Sequence, residues 1–421
     1  MNITKNIIEF FTLDKKVLGL FGAILLVTLG EELWMKYVPT YFVALGGTAI
    51  ALGIFKSFND TLEALSQLPG GIFSDKFGRI YSAITFLTLG IIGYVIFLLA
   101  PTWYFLFIGA IFLQGTTGLL QPTIFSIIGD NLPAEKRTVA FSVQSILKRL
   151  PIIISPLVGG IIIARYGVIH GIKISITITI ALVVLAIIVI KLSAPNETKR
   201  KNATEKKEPI NKMEETNNFE SPSEEKPISS PAQKNKSTPL LNKNLSFLLT
   251  ADILARFGQA MVKYFIVIYV IALTGSEKYG LLISLQMTTS ILSYIPAAWI
   301  ASKIGRKPVI TLTFICFAAY PFIILTATTF TVLLFGFFIA GLREFGEPAR
   351  KAMIVNLSQQ TQRGKKIGTY YTIRTLAIIP AGILGGLLWT ISRTMTAYVA
   401  TAIASLGLIV FLIFVKDIVI E

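Results

Sequence analysis

The chain is built from long apolar runs that alternate with short polar connectors. Twelve runs are visible, at residues 17–45, 49–73, 80–100, 103–128, 139–164, 171–192, 246–273, 279–302, 309–329, 331–355, 366–391 and 396–416. A run of about 20 apolar residues is long enough to cross a bilayer as an α-helix. A spanning segment must also satisfy its own backbone hydrogen bonds, which a helix does internally. The pattern therefore predicts an all-α integral membrane protein with 12 transmembrane helices.

One polar stretch divides these runs into two sets of six. Residues 195–245 are rich in Lys, Glu, Ser, Asn and Pro and poor in aromatic residues. Such a composition cannot bury enough apolar surface to fold, so it predicts a disordered linker. The predicted organisation is a cytoplasmic N-terminal segment (1–16), an N-terminal six-helix bundle (17–194), the cytoplasmic linker (195–245), a C-terminal six-helix bundle (246–416) and a cytoplasmic tail (417–421).

Lysine and arginine lie mostly in the connectors on one side of the predicted bundle. That side carries Lys5, Lys15, Lys16, Lys76, Arg79, Lys136, Arg137, Lys303, Arg306, Lys307, Arg363, Lys365, Lys366 and Lys416. The other side carries only Arg165, Lys173, Lys278 and Arg393. Because cytoplasmic loops concentrate Lys and Arg, we expect both termini and the linker to be cytoplasmic in a multi-pass protein of the cell membrane. This topology explains the net charge of +16 without nucleic acid as a partner.

The two halves repeat each other at a nearly constant offset. A shift of 227 residues places KYVPTYFVALG (36–46) on KYFIVIYVIAL (263–273), and SDKFGR (74–79) on ASKIGR (301–306). A shift of 226 residues places Lys148 on Arg374. Several matches in the same order at nearly one offset predict two pseudo-symmetric halves that arose by duplication.

The connector between the second and third runs carries the most specific motif, GGIFSDKFGR at residues 70–79. It resembles the G-x-x-x-D-[RK]-x-G-R loop of the major facilitator superfamily, with matches at Gly71, Asp75, Lys76, Gly78 and Arg79. Ile80 stands where the family has a further basic residue. The resemblance covers the whole chain, because the six-plus-six arrangement and the linker also match. It implies the fold of that family and secondary transport.

A second element resembles the multidrug/proton antiporter branch of the family. SPLVGG (155–160), in the fifth span, matches part of an antiporter motif at Pro156, Gly159 and Gly160. Ser155 replaces a glycine of that motif, and Ile111 stands where the family has a basic residue in the fourth span. Ordinary close packing of helices through small residues is the alternative explanation.

The family resemblance also implies a gating role for the loop motif. Asp75 would act as a latch that closes the cytoplasmic side against the start of the eleventh span, near residues 364–368. Asp130, in the connector GDNLPAEKR, would pair with Arg79. The alternatives are a basic turn that only sets topology and, for Asp130, a solvated surface turn.

Charged residues also lie at membrane depth, where each costs about 3 kcal/mol on insertion scales. The predicted proton-coupling candidates are Glu31, Glu32, Asp60, Glu344 and Glu347. The predicted substrate-cavity candidates are Lys36, Gln114, Gln121, Arg149, Gln259, Lys263, Arg343 and Arg374. Desolvation raises the pKa of a carboxylate and a neighbouring cation lowers it, so such acids can exchange protons. The alternative is a set of structural ion pairs at helical spacing, Glu32–Lys36, Lys56–Asp60 and Arg343–Glu347.

The distribution of these charges supports a polar path. By family resemblance, spans one, four, seven and ten line a central cavity, with spans two, five, eight and eleven beside them. The internal charges fall in those spans, whereas spans three, six, nine and twelve are nearly free of them. A polar path inside an apolar shell is expected of a protein that moves a polar solute or couples to an ion.

These features predict a secondary active transporter that works by alternating access, with proton-coupled efflux of small organic, drug-like compounds. Ion-coupled uptake of a polar nutrient or an organic anion is the alternative, and a non-transporting membrane sensor is a further one. The sequence has no nucleotide-binding loop, nucleophile elbow or metal-ligand cluster, so we expect no enzyme activity, no cofactor and no metal. The expected partners are a small-molecule substrate, the proton as coupling ion, and the lipid bilayer around a monomer.

Overall fold

The computed structural model describes residues 15–114, 116, 119–120, 123–124, 134–193, 242–357 and 363–416. Over these residues the chain is helical. The helices are α1 (Lys15–Glu32), α2 (Val38–Ala44), α3 (Ala49–Phe77), α4 (Arg79–Leu99), α5 (Tyr104–Gln114), α6 (Ala134–Tyr166), α7 (Val168–Ser193), α8 (Lys243–Thr274), α9 (Ser276–Ile304), α10 (Arg306–Thr326), α11 (Phe330–Leu342), α12 (Glu347–Leu357), α13 (Arg363–Ile378), α14 (Ala381–Ile391) and α15 (Arg393–Phe414).

Each predicted span contains one of these helices or two consecutive ones. Within the described ranges, seven stretches are long and apolar enough to cross a membrane: Arg79–Leu99, Arg149–Tyr166, Val168–Ser193, Lys243–Thr274, Arg306–Thr326, Lys366–Ile391 and Arg393–Phe414. The prediction of a helical, multi-pass membrane protein is therefore confirmed. The count of twelve helices and the segment boundaries stay predictions, and most of the predicted N-terminal segment, linker and tail lies outside the described residues.

The first and eleventh spans are each broken into two helices. In the first span, α1 ends at Glu32 and α2 begins at Val38, with Pro39 in its first turn. In the eleventh span, Pro380 separates α13 from α14. Proline has no N–H to continue a helix, and a proline lies at each of these two breaks, whereas Pro69 and Pro296 lie inside continuous helices. Such breaks are tolerated at membrane depth only where protein or a cavity surrounds the freed backbone groups.

The tenth span is broken between α11 and α12. The Gly346 N–H lies in this break and donates to Thr313 Oγ1 on α10, at 2.7 Å. Arg343 and Glu344 lie in the same turn. The break therefore changes which side chains of the span share one face, a change that helical spacing alone does not reveal.

The turn after α3 recurs after α9. Gly78 separates α3 from α4, and Gly305 separates α9 from α10, each with a φ of +93°. A residue with a side chain is strained at this φ, which accounts for glycine at both turns. The two positions are related by the 227-residue offset found in the sequence. The repeated turn supports the predicted pseudo-symmetry of the halves.

The halves pack against each other mainly through two helix pairs, α3 with α14 and α6 with α9. In the first pair, a Cβ on Gly53 would lie 2.3 Å from the carbonyl oxygen of Gly382. In the second pair, Ser276 Oγ donates to the carbonyl oxygen of Gly160 at 3.0 Å. Small residues allow helix backbones to approach this closely. The close approach of the two halves therefore depends on glycine at these positions.

These contacts lie toward one end of the bundle. That end carries the turns at residues 45–48, 167, 275 and 392, and we call it the closed end. The opposite end carries the turns at residues 78 and 305, and we call it the open end. At the closed end, Tyr37 Oη also lies 3.3 Å from the carbonyl oxygen of Ser276 in the other half, and it donates to the carbonyl oxygen of Pro156 in its own half at 2.5 Å.

Candidate functional site

A cavity of about 700 Å³ lies between the halves, on the open-end side of their contact. Its walls are formed by α3 (residues 56–65), α8 (residues 256–263) and α13 (residues 371–378). Two wall residues, Leu65 and Leu376, are 66% and 55% exposed. The cavity is therefore bounded by helices from both halves and closed beyond them at one end.

The charged part of the wall is mostly basic. Four cationic side chains line the cavity, Lys56, Arg256, Lys263 and Arg374. Two acidic side chains, Asp60 and Glu63, line it as well. Apolar groups such as Ala260 and Ile378 complete the wall. The lining suits an organic molecule with both apolar and polar parts.

Behind the wall, Asp252 on α8 is the centre of a buried ionic network. Its carboxylate lies 2.6 Å from Arg350 Nη1, 2.9 Å from Arg256 Nε and 3.3 Å from Arg374 Nη1. Tyr370 Oη also donates to it, at 3.2 Å. Asp252 and Arg350 are both 1% exposed. The network joins spans seven, ten and eleven through charge-assisted hydrogen bonds.

Glu347 on α12 is the second carboxylate of this network. Arg350 Nη2 lies 2.7 Å from its Oε1, and Arg256 Nη2 lies 3.0 Å from its Oε2. The exposed Lys351 is farther away, with its Nζ at 3.8 Å. Because a buried charge without a partner costs several kcal/mol, these pairings explain how the network is tolerated inside the protein.

On the opposite wall, Lys56 Nζ contacts Asp60 Oδ2 one helical turn away on α3. Lys56 is 4% exposed, and its Nζ lies 5.9 Å from the ring centroid of Tyr264 on α8. This contact connects the two halves. The predicted Lys56–Asp60 ion pair is therefore present in the structure.

The two glutamates of the first span differ in their surroundings. Glu31 accepts a hydrogen bond from Tyr94 Oη on α4, at 2.6 Å, so it faces the interior of the N-terminal half. Glu32 pairs with Lys36, with 3.2 Å between Nζ and Oε2. The predicted Glu32–Lys36 pair is therefore also present. None of the three residues lies on the cavity wall.

Arg343 does not pair with Glu347, although the two stand at i and i+4 in the sequence. Its guanidinium carbon lies 4.8 Å from the ring centroid of Tyr320 and 5.4 Å from that of Phe317. The prediction of this pair is wrong because the helix breaks between Leu342 and Glu347, so helical spacing does not apply there. The half-buried Glu344 lies in the same break.

Arg149 forms a contact between the halves. Its guanidinium carbon lies 4.7 Å from the ring centroid of Tyr294 on α9. A cation over an aromatic face is stabilised by about 0.5–2 kcal/mol, depending on its exposure. Arg149 lies off the cavity wall, so the structure places it at the α6–α9 interface.

In the loop motif, Asp75 pairs with Arg79 of its own half. The Asp75 side chain is 69% exposed, and Arg79 Nη1 also lies 3.2 Å from Ser74 Oγ. Near the start of the eleventh span, a Cβ on Gly368 would meet no atom within 4 Å. The space that a side chain on Gly368 would occupy is thus free of described atoms, and the predicted latch stays a prediction.

The structure brings four of the predicted site residues together on the cavity wall: Asp60, Gln259, Lys263 and Arg374. Glu347 lies behind that wall. The side chain of Gln114, and the residues Gln121 and Asp130, lie outside the described part of the chain. Gly71 lies within α3, and Lys76 Nζ lies 5.3 Å from the ring centroid of Phe77.

The predicted set omitted Asp252, Arg350 and Tyr370. One signal in the sequence could have found Asp252, because it stands four residues before Arg256 on α8. The same spacing predicted the Lys56–Asp60 pair. The contacts of Arg350 and Tyr370 with Asp252 join different helices, and no local spacing reveals them.

Comparison with known proteins adds a family and several distant relatives. The family model described as Major Facilitator Superfamily matches residues 17–276 and, in a second match, residues 248–419. An uncharacterized MFS-type transporter of Methanocaldococcus jannaschii is 30% identical over 112 residues, which cover 26% of this chain and 28% of the relative. The quinolone resistance protein NorA of Staphylococcus aureus is 25% identical over 180 residues, 42% of this chain and 46% of NorA. The chain thus matches less than half the length of these relatives.

Among solved structures, a POT family transporter in complex with a thioalcohol-conjugated peptide is similar in fold. The TM-score is 0.72, and the superposition covers 96% of this chain and 98% of that one. Sequence identity is 14%, so the likeness concerns the fold alone.

Proposed function

Since the chain belongs to the Major Facilitator Superfamily and is a transporter of that family, we propose that it exports small organic compounds by alternating access, driven by proton entry. The observation that carries the mechanism is the cavity between the halves, which is closed at one end by the α3–α14 and α6–α9 contacts. A site held between two halves can be exposed to either side when the halves rock about it. This structure corresponds to one of the two exposures.

The distribution of basic residues indicates which exposure it is. The open end carries the turns around residues 78 and 305, beside Lys76, Arg79 and Arg306. By the positive-inside rule this end is cytoplasmic. The structure is then the inward-facing state. We infer that the protein lies in the cell membrane and that both of its termini are in the cytoplasm. The exposed Asp75 is consistent with this state, because a closing latch would be disengaged.

Two observations support export and proton coupling. NorA is a quinolone resistance protein, and the partial likeness to it favours export of organic compounds. Among the acids, Asp60 is best placed to couple proton entry to transport, because it lines the cavity and contacts Lys56. Protonation of Asp60 would break this ion pair and change the charge of the cavity.

The test uses purified full-length protein in proteoliposomes that contain a pH-sensitive dye. A quinolone is added first, followed by organic cations, organic anions and sugars as separate classes. We expect one class to trigger proton movement, which would identify the substrate class and establish coupling together. No response to any class from protein shown to be folded would contradict the proposed proton-coupled transport.

Replacing Asp60 by asparagine should reduce substrate-triggered proton flux by at least about tenfold, since proton transfer by a positioned group contributes on that scale or more. The side chain keeps its size but can no longer take up a proton. Glu277→Gln is the matched control, because Glu277 is exposed at the closed end and lies off the cavity wall. Normal flux in the Asp60→Asn protein would assign the coupling proton to another group.

Replacing Asp75 by asparagine tests the latch. We expect transport to slow by about tenfold with little change in substrate affinity, because the loss of one charge-assisted hydrogen bond in the closed state costs about 1.5 kcal/mol. Lys303→Gln, in the second copy of the loop, is the control for a lost charge at the same end. Equal transport rates in both variants would show that the loop only sets topology.

A further inference from the structure

The internal duplication reveals a difference between the two central lysines. The 227-residue offset places Lys36 on Lys263 and Glu32 on Gln259. In the first half, Glu32 and Lys36 form an ion pair at 3.2 Å. In the second half, a neutral amide replaces the carboxylate at the corresponding position. Lys263 therefore lacks the partner that its counterpart has one turn away.

No carboxylate of the described residues forms an ion pair with Lys263. Lys263 is exposed on the cavity wall, and among the described residues no carboxylate lies within ion-pair distance of its Nζ. Lys56, Asp60 and Glu63 face it from α3. Asp60 is already in contact with Lys56. The ammonium group of Lys263 is thus directed into a cavity that opens to solvent.

The neighbouring cations add to the positive charge that Lys263 brings to the cavity. On the same wall, Arg256 pairs with Asp252 and Glu347, and Arg374 pairs with Asp252. The buried Arg350 contacts both carboxylates as well. This network has three guanidinium groups and two carboxylates, so it adds positive charge to the wall. A single negative charge on a ligand would meet a favourable potential there.

We propose that the substrate is an amphipathic organic anion whose carboxylate binds Lys263 Nζ and the Gln259 side-chain amide. The carboxylate takes the place that Glu32 occupies in the first half. The apolar part of the molecule packs against Ala260 and Ile378. The proposal rests on the proposed transport function, and it names the substrate class of the same cavity.

The experiment measures equilibrium binding to purified full-length protein with three probes on one scaffold. The probes are 2-naphthoate, 2-naphthamide and 2-naphthylmethylammonium. We expect the carboxylate to bind at least about tenfold more tightly than the amide, because a hydrogen bond between charged groups is stronger than a neutral one by about that factor. The cationic probe should bind most weakly.

Three variants test which residues cause the preference for the carboxylate. Lys263→Gln should abolish the preference for the carboxylate. Gln259→Glu should abolish this preference as well, because the new carboxylate can pair with Lys263 as Glu32 pairs with Lys36 in the first half. We expect this variant to fold, since the first half already contains such a pair. Lys278→Gln, an exposed lysine at the closed end, should retain the preference.

The outcomes separate this proposal from the transport function. Equal affinity for the three probes, or a carboxylate preference that survives in the Gln259→Glu protein, would overturn the anion site. Proton-coupled transport of a neutral or cationic compound alongside that result would leave the transporter proposal intact. Carboxylate binding that depends on Lys263, without flux in proteoliposomes, would support the site and refute the proposed transport.

Discussion

Replacing Asp252 by alanine is expected to destabilise the protein by about 3–5 kcal/mol, the usual cost of breaking a buried ion pair from one side. The carboxylate has contacts with Arg256, Arg350 and Arg374. Without it, Arg256 and Arg350 keep only Glu347 as a partner, and Arg374 loses its ion pair in the network. Arg350 is 1% exposed, so water cannot replace the lost partner. The loss should appear as a large fall in the thermal unfolding midpoint of the purified protein.

Two further variants make this prediction specific. Lys351→Met removes an exposed ion pair of the same network, and exposed pairs contribute only about 0–1 kcal/mol. It should leave the unfolding midpoint nearly unchanged. In the double variant Asp252→Ala with Arg350→Met, both buried charges are removed, and we expect part of the stability to return. If the double variant is less stable than Asp252→Ala alone, the network does not behave as a coupled set of charges.

The sequence was sufficient for those parts of the structure that depend on local spacing. Apolar runs predicted the spans, and the pairs Glu32–Lys36 and Lys56–Asp60 followed from residues one helical turn apart. The same rule failed for Arg343 and Glu347, because a turn interrupts the helix between them. Helical spacing is reliable only where the helix is continuous.

The ionic network shows what local spacing cannot provide. Asp252, Arg350 and Tyr370 come from three different spans, and their contacts arise from the packing of α8, α12 and α13. A sequence can place each of these residues on a helix, but it does not state the rotation of one helix relative to another. For the same reason the cavity wall could be assigned only in part: Asp60 and Lys263 were among the predicted site residues, and Glu63 was not.

At the closed end, α3 and α14 contact each other at glycine residues, and we expect a substitution there to change transport strongly. A Cβ on Gly382 would lie 2.6 Å from the carbonyl oxygen of Gly53 and 2.8 Å from Ser57 Oγ. Gly382→Ala should therefore force the two halves apart at this end. Overpacking costs about 1–3 kcal/mol, which is about a five- to 150-fold change in the ratio of the two states. We expect a shift away from the inward-facing state and a strong loss of transport.

Spin labels at His170 and Glu277 can measure this shift, because both residues are exposed at the closed end and belong to different halves. The labelled cysteines are introduced in a Cys316→Ser background, and the distance between them should increase in the Gly382→Ala protein. Gly368→Ala is the matched control on the same span, since a Cβ there would meet no atom within 4 Å. An unchanged distance distribution in the Gly382→Ala protein would mean that the α3–α14 contact does not hold this end closed. A longer distance would show instead that close approach at glycine determines the balance between the two exposures, because the substitution changes no charge.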